Sequence, residues 1–362
     1  MYERKSRRCC AAMLAVSVCL RLCMFLGLDA KAAAWISTAA RSTDFARWMV
    51  FLETGQVTQA EEPAQEQSLY VLRMEPAAES PEEKPVQEIE AQVTSSEAVS
   101  APLPANLASA EQIAMEGGCT YTVDKAALLA RPSALDFTGD GPKILILHTH
   151  ATEAYTQEAG WEYEASSEYR TLDTDRSVVQ VGRVLAETLE AHGIEVIHDE
   201  ALNDYPSYNG SYAAALERIQ QWLDQYPGIQ MVIDVHRDAV ADESGQAVAL
   251  SATENGESCA RLMLVVGTDQ GGLSHPNWQE NLANALKLQS VLAGTYPGLC
   301  RSLDLRTERF NQHMTPGSLL VEVGSNGNTL QQAMRSARLL GDGLASMIAA
   351  LEANGGLLEA AP

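Results

Sequence analysis

The chain is predicted to contain an α/β domain in which helices flank a mostly parallel sheet, and three observations predict it. Short apolar runs of strand length recur, such as Lys143–Leu147 and Gln230–Val235. Between them lie segments with apolar residues at helical spacing, such as Ser177–His192. The two kinds of segment alternate from Cys119 onward, which is typical of a parallel sheet whose strands are covered on both faces.

The remaining elements of the domain follow the same two patterns. Gly193 ends the first long helix, because glycine readily adopts the backbone conformation that closes a helix. After it come strand Glu195–Ile197, helix Tyr212–Trp222, strand Gln230–Val235, strand Arg261–Val266, helix Trp278–Leu292, strand Ser318–Val323 and helix Leu330–Leu351. Ligands bind beyond the carboxyl ends of parallel strands, so functional side chains are expected there.

Residues 1–52 are predicted to anchor the chain in a membrane and to continue as a juxtamembrane helix. The apolar run Cys9–Leu28 is long enough to span a bilayer, and the basic residues before it place the rest of the chain outside the cytoplasm. Arg21 opposes insertion by about 2.5–3.5 kcal/mol, which the apolar neighbours offset. Alternatively, Ala30-Lys31-Ala32 is the cleavage site of a signal peptide, which also exports the remainder.

Residues 53–118 are predicted to form a disordered linker, and residues 119–362 the folded domain. The linker is rich in proline and carboxylates, and Arg73 and Lys84 are its only basic residues. Such a segment buries too little apolar surface to offset its ordering entropy. The whole chain has a net charge of −23, which argues against nucleic acid as a partner.

The cysteines of the predicted domain indicate free thiols. Cys119, Cys259 and Cys300 are far apart in sequence and odd in number, and no C-x-x-C pair occurs among them. The alternative is a single disulfide between two of the cysteines.

Three of the predicted strands lead into side chains that can carry hydrolytic chemistry. These segments are Leu145–Glu153, Val232–Asp238 and Leu319–Asn326. Two histidines and a carboxylate can hold a zinc ion and leave a fourth position for water, and a further glutamate can move the proton of that water. The sequence therefore predicts a zinc site with His150, Glu153 and His236 as the ligands.

The predicted ligand set has alternatives within the same segments. His148 shares a strand face with His150, so it could replace that ligand or take part in catalysis by orienting the site. Asp173 or Asp175, which precede the first long helix, could replace Glu153.

Other polar residues of these segments have predicted roles. Glu322 is predicted to be the general base, because a carboxylate that follows three apolar strand residues is costly unless it is paired or functional; the alternative is an ordinary ion pair. Arg237 is either a cation for a substrate carboxylate or a structural partner. Asp238 is expected to hydrogen bond to the site. His313 either lines a substrate groove or packs a loop.

Seven segments together resemble the stage II sporulation protein P family. They are His148–Tyr155, Tyr205–Tyr212, Ile233–Asp238, Leu264–Asp269, His275–Trp278, Arg309–His313 and Leu320–Asn326. The similarity extends over roughly residues 140–350, and the predicted anchor and linker also fit the layout of that family.

The resemblance implies a zinc-dependent cell-wall hydrolase of endospore-forming bacteria. Members of this family are N-acetylmuramoyl-L-alanine amidases that also cleave peptide crosslinks of peptidoglycan, and they act with stage II sporulation proteins D and M during engulfment. The resemblance further implies a phosphorylase/hydrolase-like fold and a single-pass position in the cell membrane, with the catalytic domain in the extracytoplasmic septal space. The residues alone leave two alternatives open, a zinc carboxypeptidase acting on stem peptides and a non-catalytic wall-binding scaffold.

Overall fold

The computed structural model describes residues 101–360, and its elements follow the predicted order. The strands are β1 Met115–Glu116, β2 Ile144–Leu147, β3 Ala165–Ser167, β4 Arg170–Thr171, β5 Val196–His198, β6 Met231–Asp238, β7 Ser251–Glu254, β8 Glu257–Ala260, β9 Leu262–Gly267, β10 Leu303–Arg306 and β11 Leu319–Ser325. The helices are α1 Lys125–Ala130, α2 Val178–Ala191, α3 Ser211–Gln225, α4 Trp278–Thr295 and α5 Leu330–Ala353.

Seven strands form the central sheet in the order β1-β10-β9-β11-β6-β2-β5. Strands β11, β6, β2 and β5 are parallel to one another, and so are β9, β10 and β1. The two groups meet in an antiparallel pair between β11 and β9. No helix lies between β6 and β9, and parallel strands need a crossover that is usually helical, which accounts for the reversal. The prediction of a mostly parallel sheet flanked by helices is confirmed.

The helices begin and end where local chemistry favours it. The Ser177 hydroxyl accepts a hydrogen bond from the Val179 amide (3.2 Å) and caps α2. Thr329 and Gln332 form a reciprocal capping box at the start of α5. The two helices cross closely at Gly341, where a Cβ atom would meet the Thr188 side chain at 2.7 Å. Glycine at this position therefore permits the close packing.

The two faces of the sheet are covered unequally, and this positions the site. One face packs against α2, α4 and α5 and carries the main core, which includes Ile146, Ile233, Val235, Leu264 and Val321. The opposite face is covered by α3 over Leu145, Leu147 and Val232. Because strand side chains alternate between faces, the residues of β6, β9 and β11 that point to this second face line an open cleft.

Most differences from the predicted elements are shifts of their ends, and a few elements were not predicted. Strand β6 is longer than predicted and includes His236. Strands β1 and β10 and the β7–β8 hairpin were not predicted, because each has four residues or fewer and no continuous apolar run.

The folded domain begins earlier than the predicted residue 119. Within residues 101–118, Ile113 is 1% exposed and β1 pairs with β10. The Ala108 amide donates to the Ser290 carbonyl (2.9 Å), and the Ser290 hydroxyl donates to the Ala108 carbonyl (2.7 Å). The acidic, proline-rich composition of the preceding residues hid this short packed segment from sequence analysis.

The predicted anchor and most of the predicted linker lie outside the described residues. Within residues 101–360, none of the helices combines the length and apolar character needed to cross a bilayer. The three cysteines of this part, Cys119, Cys259 and Cys300, are free thiols, as predicted.

Replacing Ile113 with alanine tests whether the segment before Cys119 belongs to the domain. Removing a fully buried isoleucine side chain leaves a cavity, so Ile113→Ala should lower the free energy of unfolding by about 2–5 kcal/mol. Urea denaturation measures this. The exposed Thr122→Ala variant serves as the control and should change little. Equal stability of the two variants would show that the segment does not contribute to the fold.

Candidate metal centre

Three chain segments bring four titratable side chains together on the open face of the sheet. His150 and Glu153 lie in the turn that follows β2, His236 lies within β6, and Glu322 lies within β11. Glu322 stands opposite His236 in the parallel register of these strands. The cluster thus lies on the part of this face that α3 does not cover, with two residues in β6 and β11 and two in the turn beyond β2.

His236 has a carboxylate near each of its ring nitrogens. Its Nδ1 lies 3.5 Å from Oε2 of Glu153, and its Nε2 lies 2.9 Å from Oδ1 of Asp234. The contact at Nε2 is a buried ion pair at close range. Asp234 is itself held by the amide (2.8 Å) and hydroxyl (2.6 Å) of Thr149.

The His150 ring is enclosed by other rings. It stacks on Tyr208, with centroids 4.5 Å apart and planes 12° apart. Tyr212 and His236 meet it edge-on, with centroid distances of 5.6 Å and 5.2 Å. The buried Nδ1 of His150 has no hydrogen-bond partner, which is unusual for a buried polar atom.

Glu322 also carries a buried oxygen without a partner. Its Oε2 makes no hydrogen bond, although the residue is only partly covered and lines the cleft. Burial raises the pKa of Glu322 to about 8; Glu153 and Asp238 contribute to the rise, while His236 and Arg237 oppose it. The side chain is therefore placed to hold or release a proton near neutral pH.

The neighbouring groups have strongly perturbed pKa values. Burial, together with the neighbouring His236, lowers the pKa of His150 to about 4. Burial alone would raise the pKa of Glu153, but His236, Arg237 and His150 bring it down to about 2. Burial acts to lower the pKa of His236, but Asp234 and Glu153 outweigh it and raise the pKa well above the ordinary value. His236 and Glu153 are thus a buried ion pair.

His150, Glu153 and His236 carry nitrogen and carboxylate donors of the kinds that bind zinc. At zinc–ligand distances of about 2.0–2.2 Å, two ligands of a tetrahedral ion lie about 3.3–3.6 Å apart. The 3.5 Å between Oε2 of Glu153 and Nδ1 of His236 falls in this range, and His150 adds a free, buried nitrogen. In residues 101–360 no three His, Cys, Asp or Glu side chains already have the spacing of a complete site. Completing this set therefore requires side-chain movement.

The cluster opens into a cleft of about 610 Å³. Met263, Val265 and Leu320 pack with Phe310 to form an apolar part of its lining. At the rim, Arg301 binds Asp238 at 2.7 Å. The cleft lining therefore combines an apolar part with charged residues.

The structure does not bring His148 into this cluster. Its Nδ1 lies 2.9 Å from the Val235 carbonyl, and its Nε2 lies 2.9 Å from Nε2 of His198. Burial and the neighbouring His198 lower the pKa of His148 to about 3. The ring also lies against Gly182, where a Cβ atom would meet it at 2.5 Å. Both nitrogens are occupied, and this placement is that of a packed structural histidine.

The structure places Arg237 among structural contacts. Its Nε donates to the Ala154 carbonyl and its Nη2 to the Tyr169 carbonyl, both at 3.0 Å. Its backbone amide donates to Oε2 of Glu153 (3.2 Å), and its Nη1 lies 3.5 Å from Oε1 of that residue. Arg237 therefore ties β6 to the turn that carries Glu153.

The remaining predicted candidates lie away from the cluster or at its edge. Asp238 lies at the rim of the cleft. His313 lies in the 3₁₀ turn Gln312–Met314, which is not part of the cleft lining. Asp173 and Asp175 are exposed, and Asp175 binds Arg183 at 2.8 Å.

Sequence reasoning assigned no role to several residues around the cluster. Tyr208 and Tyr212 enclose His150, and Arg170 contacts both Glu153 (3.5 Å) and Tyr208. A signal existed in the aromatic-rich segment Tyr205–Tyr212, because aromatic side chains in loops often serve function.

The sequence matches the stage II sporulation protein P family over residues 45–345. Stage II sporulation protein P of Bacillus subtilis (strain 168) is 28% identical over 221 residues, which cover 58% of this chain and 52% of that relative. The chain therefore aligns with about half the length of the relative.

Solved structures of several cell-wall amidases are similar in part. An N-acetylmuramyl-L-alanine amidase from Mycobacterium smegmatis is 14% identical, with 58% of this chain and 96% of that chain covered and a TM-score of 0.34. The amidase AmiC2 of Nostoc punctiforme is 15% identical, with 59% and 99% covered and a TM-score of 0.33. The amidase CwlD of Clostridioides difficile, solved with the GerS lipoprotein, is 11% identical, with 58% and 98% covered and a TM-score of 0.31. At these scores the likeness carries no functional argument.

The structural placement of Arg237 can be tested with lysine. A lysine keeps the charge but cannot reproduce the forked contacts to two carbonyls, so Arg237→Lys should lower the free energy of unfolding by about 1–3 kcal/mol. Urea denaturation measures this against the exposed Arg338→Lys control. If Arg237→Lys is as stable as the control, its guanidinium is not a structural tie, and the role in binding a substrate carboxylate becomes the better explanation.

Proposed function

Because this chain belongs to the stage II sporulation protein P family, we propose that it is a zinc-dependent N-acetylmuramoyl-L-alanine amidase of peptidoglycan that also cleaves crosslinks. The observation that carries the proposal is the convergence of His150, Glu153 and His236, with Glu322 opposite His236 across the strands. Two imidazoles and a carboxylate are the ligand set of hydrolytic zinc sites, and the fourth position is left for water.

The proposed zinc ligands are His150, Glu153 and His236. Asp234 lies beside Nε2 of His236, which leaves Nδ1 of that ring as the atom that would bind the ion. Metal-binding histidines commonly have a carboxylate partner at the other ring nitrogen. When bound, zinc supplies a Lewis acid for the substrate carbonyl and lowers the pKa of a coordinated water to about 7.

Proton transfer is assigned to Glu322. Its Oε2 is buried without a hydrogen-bond partner, so it is free to accept the proton of the attacking water. The same carboxyl then donates that proton to the departing amine nitrogen, which is the nitrogen of L-alanine when the lactyl amide of muramic acid is cut.

The cellular location and the partners are proposed from the membership of the chain in this family. We assign the chain to the cell membrane, with a single N-terminal span and the catalytic domain in the septal space of sporulating cells. Stage II sporulation proteins D and M are the proposed partners. Within the α/β class, we propose that the domain has the phosphorylase/hydrolase-like architecture of zinc amidases.

Digestion of purified peptidoglycan by the full chain tests the proposal. Glu322→Gln should slow release of stem peptides by about 10²–10⁴-fold, because it removes general acid–base catalysis while keeping the shape of the side chain. The exposed Glu257→Gln variant is the matched control and should digest like the wild type. Mass spectrometry of the products reports which bond was cut: free glycan strands with intact stem peptides indicate the amidase.

Metal analysis completes the test. Wild type and Glu322→Gln should each hold one zinc ion, whereas His236→Ala should lose it, and a chelator should stop digestion by the wild type. Trimmed stem peptides would indicate the carboxypeptidase alternative instead. The scaffold alternative predicts a different set of results. The wild type would hold no zinc and would not digest peptidoglycan, and Glu322→Gln would bind peptidoglycan as well as the wild type does.

A further inference from the structure

Two residues outside the proposed ligand set, Tyr208 and Arg170, each contact one of its members and also contact each other. Tyr208 stacks on the His150 ring at 4.5 Å, and the guanidinium of Arg170 lies 4.7 Å from the centre of the Tyr208 ring. Arg170 also reaches Glu153, with its Nη2 3.5 Å from Oε1. We propose that Tyr208 and Arg170 are positioning residues that hold His150 and Glu153 in the orientation that binds zinc. This inference rests on the proposed function, because it concerns the same ligands.

Arg170 is firmly anchored, so it can act as a fixed support. Its Nη1 donates to Oδ2 of Asp204 at 2.7 Å and to the Thr152 hydroxyl at 3.0 Å. The Asp204 side chain is fully buried and also accepts hydrogen bonds from the amide and hydroxyl of Thr152. Because Thr152 directly precedes Glu153, these bonds fix the backbone of the turn as well as the carboxylate.

The stack restrains the His150 ring without occupying its nitrogens. A ring face pressed against another ring limits rotation of the side chain, and Tyr212 blocks rotation from the edge. The buried Nδ1 of His150 has no hydrogen-bond partner, so the stack leaves it for a ligand bond. Arg170 contacts Oε1 of Glu153, whereas Oε2 lies on the side of His236. The support therefore holds each ligand by the part that does not face the proposed ion.

A different role for Tyr208 would be a platform for substrate, since its side chain is 52% exposed. The two roles predict different measurements. A platform residue changes KM for peptidoglycan and leaves zinc affinity unchanged, whereas a positioning residue changes zinc affinity without any substrate present.

Zinc affinity of the purified full chain tests the proposal, measured by competition with a chromophoric chelator. Tyr208→Leu should bind zinc about 10–100-fold more weakly than the wild type, the usual effect of losing a partner that orients a metal ligand. Tyr208→Phe keeps the stack and should restore wild-type affinity. The control is Tyr205→Leu, which removes a neighbouring tyrosine of similar exposure (55%) that does not stack on His150. The visible absorption of the cobalt-substituted protein should shift in Tyr208→Leu and not in the control.

Each outcome decides between the proposals. If the wild type binds no zinc, both this inference and the proposed function fail. If the wild type binds zinc and Tyr208→Leu binds it equally tightly, the positioning role fails and the proposed function stands.

If circular dichroism shows that Tyr208→Leu is unfolded, Arg170→Lys takes its place. That variant keeps the positive charge beside Asp204 but loses the forked guanidinium that reaches Glu153 and Tyr208. Its zinc affinity should therefore fall in the same way as that of Tyr208→Leu. If Arg170→Lys binds zinc as tightly as the wild type, the inference is overturned.

Discussion

The register between β6 and β11 places His236 beside Glu322, and the arrangement of the candidate site depends on it. Because side chains of a strand alternate, a shift of one residue would turn Glu322 into the core and bring Val321 or Val323 to the cleft. The register is secured by the opposite face, where Val235, Val321 and Val323 are buried under the helices. Packing of apolar residues on one face therefore determines which polar residues meet on the other.

Buried charge is the second constraint on this region. Glu153, His236 and Asp234 are nearly fully buried, and such charges are tolerated only when they are paired or hydrogen bonded. Arg237 and Arg170 supply positive charge beside Glu153, and Thr149 supplies hydrogen bonds to Asp234. The contacts that stabilise these buried charges also tie the turn after β2 to β6. The fold and the site therefore depend on the same interactions.

The uneven covering of the sheet leaves the cluster open on one side. Helix α3 covers the second face only over β2 and the start of β6, and the cleft occupies the rest. Peptidoglycan is a polymer, and a cleft on an open sheet face can admit a strand from the side more readily than a closed pocket could. This geometry agrees with the function that we propose for a member of the stage II sporulation protein P family.

The sequence by itself determined the order of the principal helices and strands and the segments that carry His150, Glu153, His236 and Glu322. It could do so because apolar periodicity and the polar residues at strand ends are local properties. The tertiary structure decided what local patterns do not contain: that β9 runs antiparallel to β11, that His148 turns into the packing against His198, and that Tyr208 and Arg170 reach the cluster. His148 and His150 share a strand-like spacing, yet the chain turns after β2 and the two rings separate, so only contacts between distant segments could tell them apart.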